Sequence, residues 1–141
     1  MIKVLFICHG NICRSVMAEY MFKDMVKRKG LDMYCSSAAT SREEIGNMIY
    51  PPAARKLDEK GIPYGKHRAR QVTKEDYDEY DVLFIMDENN RRNLMRILES
   101  DPEGKVRKIL PKDVADPWYT GDFETTYQDL AEGLEMYLAS V

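Results

Sequence analysis

Between Ile2 and Ile7 the chain carries an apolar run with no polar face, and a helical pattern begins a few residues beyond it. A strand with one side in water alternates apolar and polar residues, whereas a continuous apolar run belongs to a strand covered on both faces. Such strands assemble into parallel sheets whose crossover helices do the covering. The rest of the sequence repeats the alternation. Ala18, Met21, Phe22 and Met25 fall at helical spacing, and Gly30 ends that helix after the basic run Lys27-Arg28-Lys29. Met33–Ala38 reads as a second strand, and Pro51 and Pro52 suit the first turn of a helix through Leu57 that Gly61 closes. Thr73 is placed to cap a short helix around Glu75–Glu79, and Val82–Met86 is another buried strand. Asp87 caps a helix whose inner face carries Leu94, Ile97 and Leu98. Val106–Leu110 is the last strand, and Phe123, Tyr127, Leu130, Leu134 and Tyr137 mark one face of a closing helix. No repeat or linker interrupts the series. Residues 1–141 therefore read as one α/β domain, a parallel sheet flanked by helices on both faces.

In folds of this kind ligands bind beyond the carboxyl ends of the strands. Cys8 closes the first strand and Asp116 follows the last, so the sequence places both on one rim. The run Cys8-His9-Gly10-Asn11-Ile12-Cys13-Arg14-Ser15 puts a thiol in a loop whose amides and following helix N-terminus can hold an oxyanion. A guanidinium at the far side of that loop, Arg14, can grip phosphate oxygens in a bidentate way. Thiols at helix N-termini beside a guanidinium fall from ~8.5 to roughly 3.5–7.5, so a cysteine so placed is expected to react as the thiolate. Ser15 is placed to donate a hydrogen bond to the sulfur. Gly10 permits a positive backbone angle, and Asn11 is among the few other residues that tolerate one. The bland reading is a strand-to-helix turn with a buried cysteine. The fixed Cys-x5-Arg-Ser spacing in this context points instead to covalent phosphate chemistry on cysteine.

Composition narrows the partners. An apolar fraction of 44% and a charged fraction of 32% fit a folded globular chain. The net charge of −3 supplies no global basic field for nucleic acid, so any anion site must be local. Val4–Ile7 is too short for a signal peptide or a membrane span, so no membrane partner is expected. Three cysteines without disulfide-framework spacing fit a reducing cytoplasm. Cys8, His9 and Cys13 cluster, but zinc usually takes two close ligand couples and only Cys35 and His67 remain elsewhere. Neither a metal nor a cofactor is expected.

The stretch Val4-Leu5-Phe6-Ile7-Cys8-His9-Gly10-Asn11-Ile12-Cys13-Arg14-Ser15 resembles the signature of the low-molecular-weight protein tyrosine phosphatases. Asp116-Pro117-Trp118-Tyr119 resembles that family's general-acid loop. Ser36-Ser37-Ala38-Ala39-Thr40, His67-Arg68-Ala69-Arg70-Gln71, Tyr80-Asp81-Val82-Leu83 and Met86-Asp87-Glu88-Asn89 are similar to further family segments, so the likeness spans essentially the whole chain. It implies a four-stranded parallel sheet of the flavodoxin-like, phosphotyrosine phosphatase I type, metal-independent catalysis and a phosphocysteine intermediate. It implies Cys8 as nucleophile, Arg14 as phosphate clamp and Asp116 as general acid, then base. His9, Gly10, Asn11, Ile12, Cys13 and Ser15 would complete the phosphate loop. His67, Ser37 and Asn11 match a supporting hydrogen-bond network beneath it. His9 stands at a position the family varies and would tune substrate choice. Cys13 would trap oxidised Cys8 as a reversible disulfide. Cys35 is expected to pack in the second strand and stay inert. Trp118 and Tyr119 would wall a deep pocket that suits phosphotyrosine better than the shorter phosphoserine. Tyr119 is also a candidate phosphorylation site. The implied partners are phosphotyrosine-bearing proteins, and the reading is of a monomer, with weak dimerisation left open.

Two positions depart from the family pattern. Glu43 stands about where many relatives place an aromatic, on a rim that should fall near Arg42, Glu43, Glu44 and Ile45; an acidic rim would favour basic residues beside the phosphotyrosine. Val16 replaces a common proline at the helix start, which should soften the first turn slightly. Three rival readings remain. A phosphoarginine phosphatase of the same family looks to prefer threonine where Ile12 stands. A thioredoxin-coupled arsenate reductase of the same fold would need two further central cysteines, and Ser36–Val141 contains none. A phosphocysteine carrier or phosphate-binding module needs no acid for a phenol leaving group, and Asp116 argues against it.

Overall fold

The computed structural model describes residues 1–141. The elements run β1 (Ile2–Cys8), α1 (Arg14–Lys29), β2 (Met33–Ala39), α2 (Pro51–Glu59), α3 (Lys74–Glu79), β3 (Val82–Ile85), α4 (Glu88–Leu98), β4 (Val106–Lys108), α5 (Pro117–Thr120) and α6 (Phe123–Ser140). All four strands are parallel, in the order β2-β1-β3-β4. The chain leaves β1 to one side for β2 and returns to the other side for β3. The carboxyl ends of β1 and β3 therefore flank the point where strand order reverses, which is where such sheets open a crevice.

Alternation along β1 builds two cores. Val4 and Phe6 join the larger one, with α1 and α6; Leu5 and Ile7 enter the smaller one, with α3 and α4. Phe6 stacks on Phe84 at 5.8 Å and meets Phe22 edge-on at 5.5 Å, all three rings fully or almost fully buried. Truncating Phe6 to alanine would cost about 3–5 kcal/mol through the cavity left behind.

From Arg14 through Phe22 every residue of α1 is buried, so this half of the helix lacks a polar face. It has the sheet on one side and α2 and α6 on others. Gly30, at φ 64°, ends it with its own amide and that of Leu31 closing on the last turn. Asp87 caps α4 by accepting from the Asn90 amide at 2.7 Å.

Some expectations shift at the edges. β4 stops at Lys108 rather than Leu110, because Ile109 and Leu110 turn into the core beneath α6. Gly133 makes room there, since a Cβ at that position would lie 2.6 Å from the Ile109 carbonyl oxygen. Ile97 is only partly buried. The short helix α5 was not foreseen; Pro117 starts it and Gly121 ends it at φ 72°. No helix is long and apolar enough to cross a membrane.

Candidate active site

Cys8 ends β1 and Arg14 opens α1, so the chain must turn inward through residues 9–13. Asn11 makes the turn. It takes the positive backbone angle, φ 62°, and is fully buried. Gly10 does not take it; its missing side chain instead leaves clearance for Glu44, whose Cγ would lie 3.3 Å from an added Cβ.

Asn11 also organises its surroundings. Nε2 of His67 donates to its backbone carbonyl at 2.6 Å, and the Arg70 amide donates to its Oδ1 at 3.2 Å. With Oδ1 so engaged, Nδ2 donates to the Ser15 hydroxyl oxygen at 2.8 Å. That oxygen lies 3.0 Å from Sγ of Cys8: the thiol donates to it, and the hydroxyl donates back once the sulfur is ionised. The Asn11 amide reaches the same sulfur at 3.3 Å. Two donors therefore converge on one buried sulfur in its ionised form.

The Arg14 side chain is 2% exposed. Nη1 donates to Oδ2 of Asp87 at 2.6 Å and to the Val114 carbonyl at 2.8 Å, while Nη2 faces Oδ2 of Asp116 at 3.4 Å. Burial pulls the guanidinium's pKa down, but the charges of Cys8, Asp116 and Asp87 outweigh it and the net direction is up. Asp116 is itself fixed by its turn: Oδ1 accepts from the Trp118 amide at 3.0 Å as the cap of α5, which aims Oδ2 at Arg14.

Cys8, Arg14 and Asp116 line one cleft, together with His9, Gly10, Ile12, Cys13, Glu43, Glu44, Trp118 and Tyr119. Trp118 packs on Tyr50 at 4.7 Å, and the Tyr50 amide donates to the Ile12 carbonyl at 3.0 Å, so the aromatic wall is tied to the loop it faces. Tyr119 is exposed. Across the mouth, Nε2 of His9 lies 2.5 Å from Oε2 of Glu43. Cys13 is held well above the usual thiol range by burial, then by the charges of Cys8 and Asp116.

The structure does not join Ser37 to the loop. Its hydroxyl donates to Oε1 of Glu19 on α1 at 2.5 Å, because that buried carboxylate, which also takes Lys23, faces β2. Cys35 packs in β2 and points its thiol at the Glu19 carbonyl; burial, then Glu19, pushes its pKa up to about 12.

A family model for low molecular weight phosphotyrosine protein phosphatase matches residues 3–141. The chain belongs to that family. A low molecular weight protein-tyrosine-phosphatase of Bacillus subtilis, YfkJ, is 37% identical over 150 residues, covering 100% of this chain and 96% of its own length. Its crystal structure superposes at a TM-score of 0.95, covering 99% and 94% of the two chains. A low molecular weight phosphotyrosine protein phosphatase of Homo sapiens is 39% identical over 150 residues, covering 96% of this chain and 92% of its own. The crystal structure of a Drosophila arginine phosphatase is also similar, at 27% identity and a TM-score of 0.88, covering 99% and 97%.

In this phosphatase, three residues at the site escaped sequence reasoning: Asp87, Tyr50 and Arg70. Asp87 looks like an ordinary helix cap and is one, yet its second oxygen holds Arg14. The available signal was a carboxylate directly after a buried strand on the rim that carries Cys8. Arg70 is held by a bidentate pair with Asp76 at 2.9 and 3.1 Å, which positions its amide for Asn11.

Proposed function

We propose that this phosphatase hydrolyses phosphotyrosine in proteins through a phosphocysteine intermediate. One observation carries the reading. A sulfur with two donors, a buried anchored guanidinium and a carboxylate aimed by its own cap line a single cleft. The loop amides and Arg14 bind the non-bridging phosphate oxygens, more strongly as charge builds in the transition state. Cys8 attacks phosphorus as the thiolate, the bond to the tyrosyl oxygen breaks, and Asp116 gives that oxygen its proton. The ionised Asp116 then takes a proton from water, which attacks the phosphocysteine. Cys8 leaves as a thiolate, and the Ser15 hydroxyl stabilises it in both steps.

The apolar side chain of Ile12 and the ring of Trp118, both lining the cleft, support a phenol as the leaving group by offering it apolar and ring-stacking surface. His67 supports the loop directly, and Ser37 steadies the α1–β2 seam behind it. Cys13, in the same cleft, can condense with peroxide-oxidised Cys8 to a disulfide with loss of water. Three unpaired cysteines fit work in a reducing cytoplasm.

The test compares peptides carrying phosphotyrosine, phosphoserine or phosphoarginine on the wild type and on Cys8→Ser. Phosphotyrosine should be strongly preferred, and Cys8→Ser should lose turnover by on the order of 10⁴-fold or more while still binding phosphate. Preferred turnover of phosphoarginine, or an active Cys8→Ser, would overturn the proposal.

A further inference from the structure

The rim opposite Trp118 carries charge in an arrangement the catalytic steps do not use. His9 follows the nucleophile directly, and its Nε2 lies 2.5 Å from Oε2 of Glu43, both side chains being substantially exposed. The pair is assembled, not accidental. Ser41 donates its hydroxyl to the His9 carbonyl at 2.9 Å and accepts from the Glu43 amide at 3.3 Å, and the Ser41 amide bonds the same carbonyl at 3.1 Å. One serine thus fixes both backbones where their side chains meet at the cleft mouth.

We infer that His9 and Glu43 together set which charge this enzyme accepts beside the phosphotyrosine, and that protonation of His9 switches the preference. The inference rests on the phosphotyrosine reading above. With His9 protonated the pair is neutral, and Glu43 is engaged. With His9 neutral the rim gains one full negative charge, which attracts a flanking arginine and repels a flanking glutamate. Imidazole is the side chain whose charge changes between about pH 5 and 8.

Other charges face the pair. Arg42 and Glu44 stand beside it, with Arg42 bonded to Gln71 at 3.2 Å. Cys8, Cys13 and Arg14 lie along the loop, and Asp116 and Tyr119 lie across the cleft. Guanidinium and carboxylate groups ordinarily keep their charge through the imidazole window. A flanking arginine lowers and a flanking glutamate raises the second pKa of the phosphate, about 6, but this acts on wild type and His9→Gln alike, so the wild-type ratio is read against that of His9→Gln.

The experiment measures kcat/KM for two phosphotyrosine peptides, identical except for arginine or glutamate next to the phosphotyrosine, from about pH 5.5 to 8. In the wild type the arginine-to-glutamate ratio should rise with pH by roughly three- to fivefold, the scale of an exposed charge pair. In His9→Gln, which keeps a donor for Glu43 but cannot titrate, that rise should be absent. In Glu43→Gln it should be lower than in the wild type at pH 8. A wild-type ratio that follows the His9→Gln ratio across the pH range overturns the proposal. A failure of the phosphotyrosine reading would look different, since neither peptide would be turned over. Should His9→Gln not fold, the Glu43→Gln ratio decides alone: a value matching wild type at pH 8 overturns the proposal.

Discussion

Asn11, Arg14 and Ser15 are closed to solvent, while across the same cleft Trp118 is about half exposed and Tyr119 is 81% exposed. The difference extends to the bonding. Around Cys8, Asn11 and Arg14 are held by partners from distant parts of the chain, His67 and Arg70 on the first, Asp87 and Val114 on the second. Around Asp116 the side-chain bonds are fewer, one cap bond to Trp118 and a single 3.4 Å contact with distant Arg14, on a helix of four residues. A tetrahedral anion has one fixed shape, and rigid donors bind it without reorganisation. The leaving group arrives attached to a protein, so the wall that meets it must let a bulky chain in. Rigidity on one side and access on the other is what this pair of loops provides.

The strongest way to probe the acid side is Asp116→Asn, which keeps the cap but removes the transferable proton. Turnover of phosphotyrosine should fall by about 10²–10⁴. Aryl phosphates with acidic phenols leave without protonation, so their loss should be much smaller. An equal loss for both would mean that Asp116 acts by holding Arg14, and the division between a binding side and an acid side would collapse.

The binding side is probed by Asp87→Asn, again a substitution that keeps a helix cap. It leaves a buried guanidinium short of one charge, with Val114 and Asp116 still in place. A loss of about 1–3 kcal/mol in urea unfolding is expected, with weaker inhibition by phosphate as Arg14 leans toward Asp116. Unchanged stability would show that the Val114 carbonyl and Asp116 together suffice to seat Arg14.

How far the sequence shows this contrast depends on distance along the chain. β1, the Cys8–Ser15 spacing and the start of α1 are local, and their periodicity and turn chemistry appear directly in the residues. The choice between Gly10 and Asn11 for the positive angle does not, because both tolerate it and the bonds that hold Asn11 come from His67 and Arg70, far along the chain. The role of Asp87 was hidden for a similar reason: a capping carboxylate has a complete local explanation, and nothing local reports that its second oxygen meets Arg14. Ser37 shows the converse. The resemblance assigned it to the loop, yet buried Glu19, on the facing helix, claims its hydroxyl. α5 was missed because four residues behind a proline carry no period.

The smallest effect concerns how the acid side is attached to the body. Glu124, at the start of α6, bonds Gln128 at 2.7 Å and reaches Lys56 and Lys60 of the α2 region at 3.0 and 3.1 Å. Those bonds, with Gln128 first and the two lysines next, hold its carboxyl down from 4.5 to about 2. A carboxyl depressed on folding stabilises the protein above its ordinary range, and that contribution disappears as pH falls through the folded value. The difference in urea midpoint between wild type and Glu124→Gln should therefore be complete at neutral pH, shrink below about 4.5 and vanish near 2. It should be small, because the group is exposed, and 1 M salt should remove most of it by shortening the screening length to about 3 Å. The Asp87→Asn loss, with its charge buried, should survive the same salt. If salt erased both alike, buried and exposed ties would not differ, and the rigid side of the cleft would be held no more firmly than the open one.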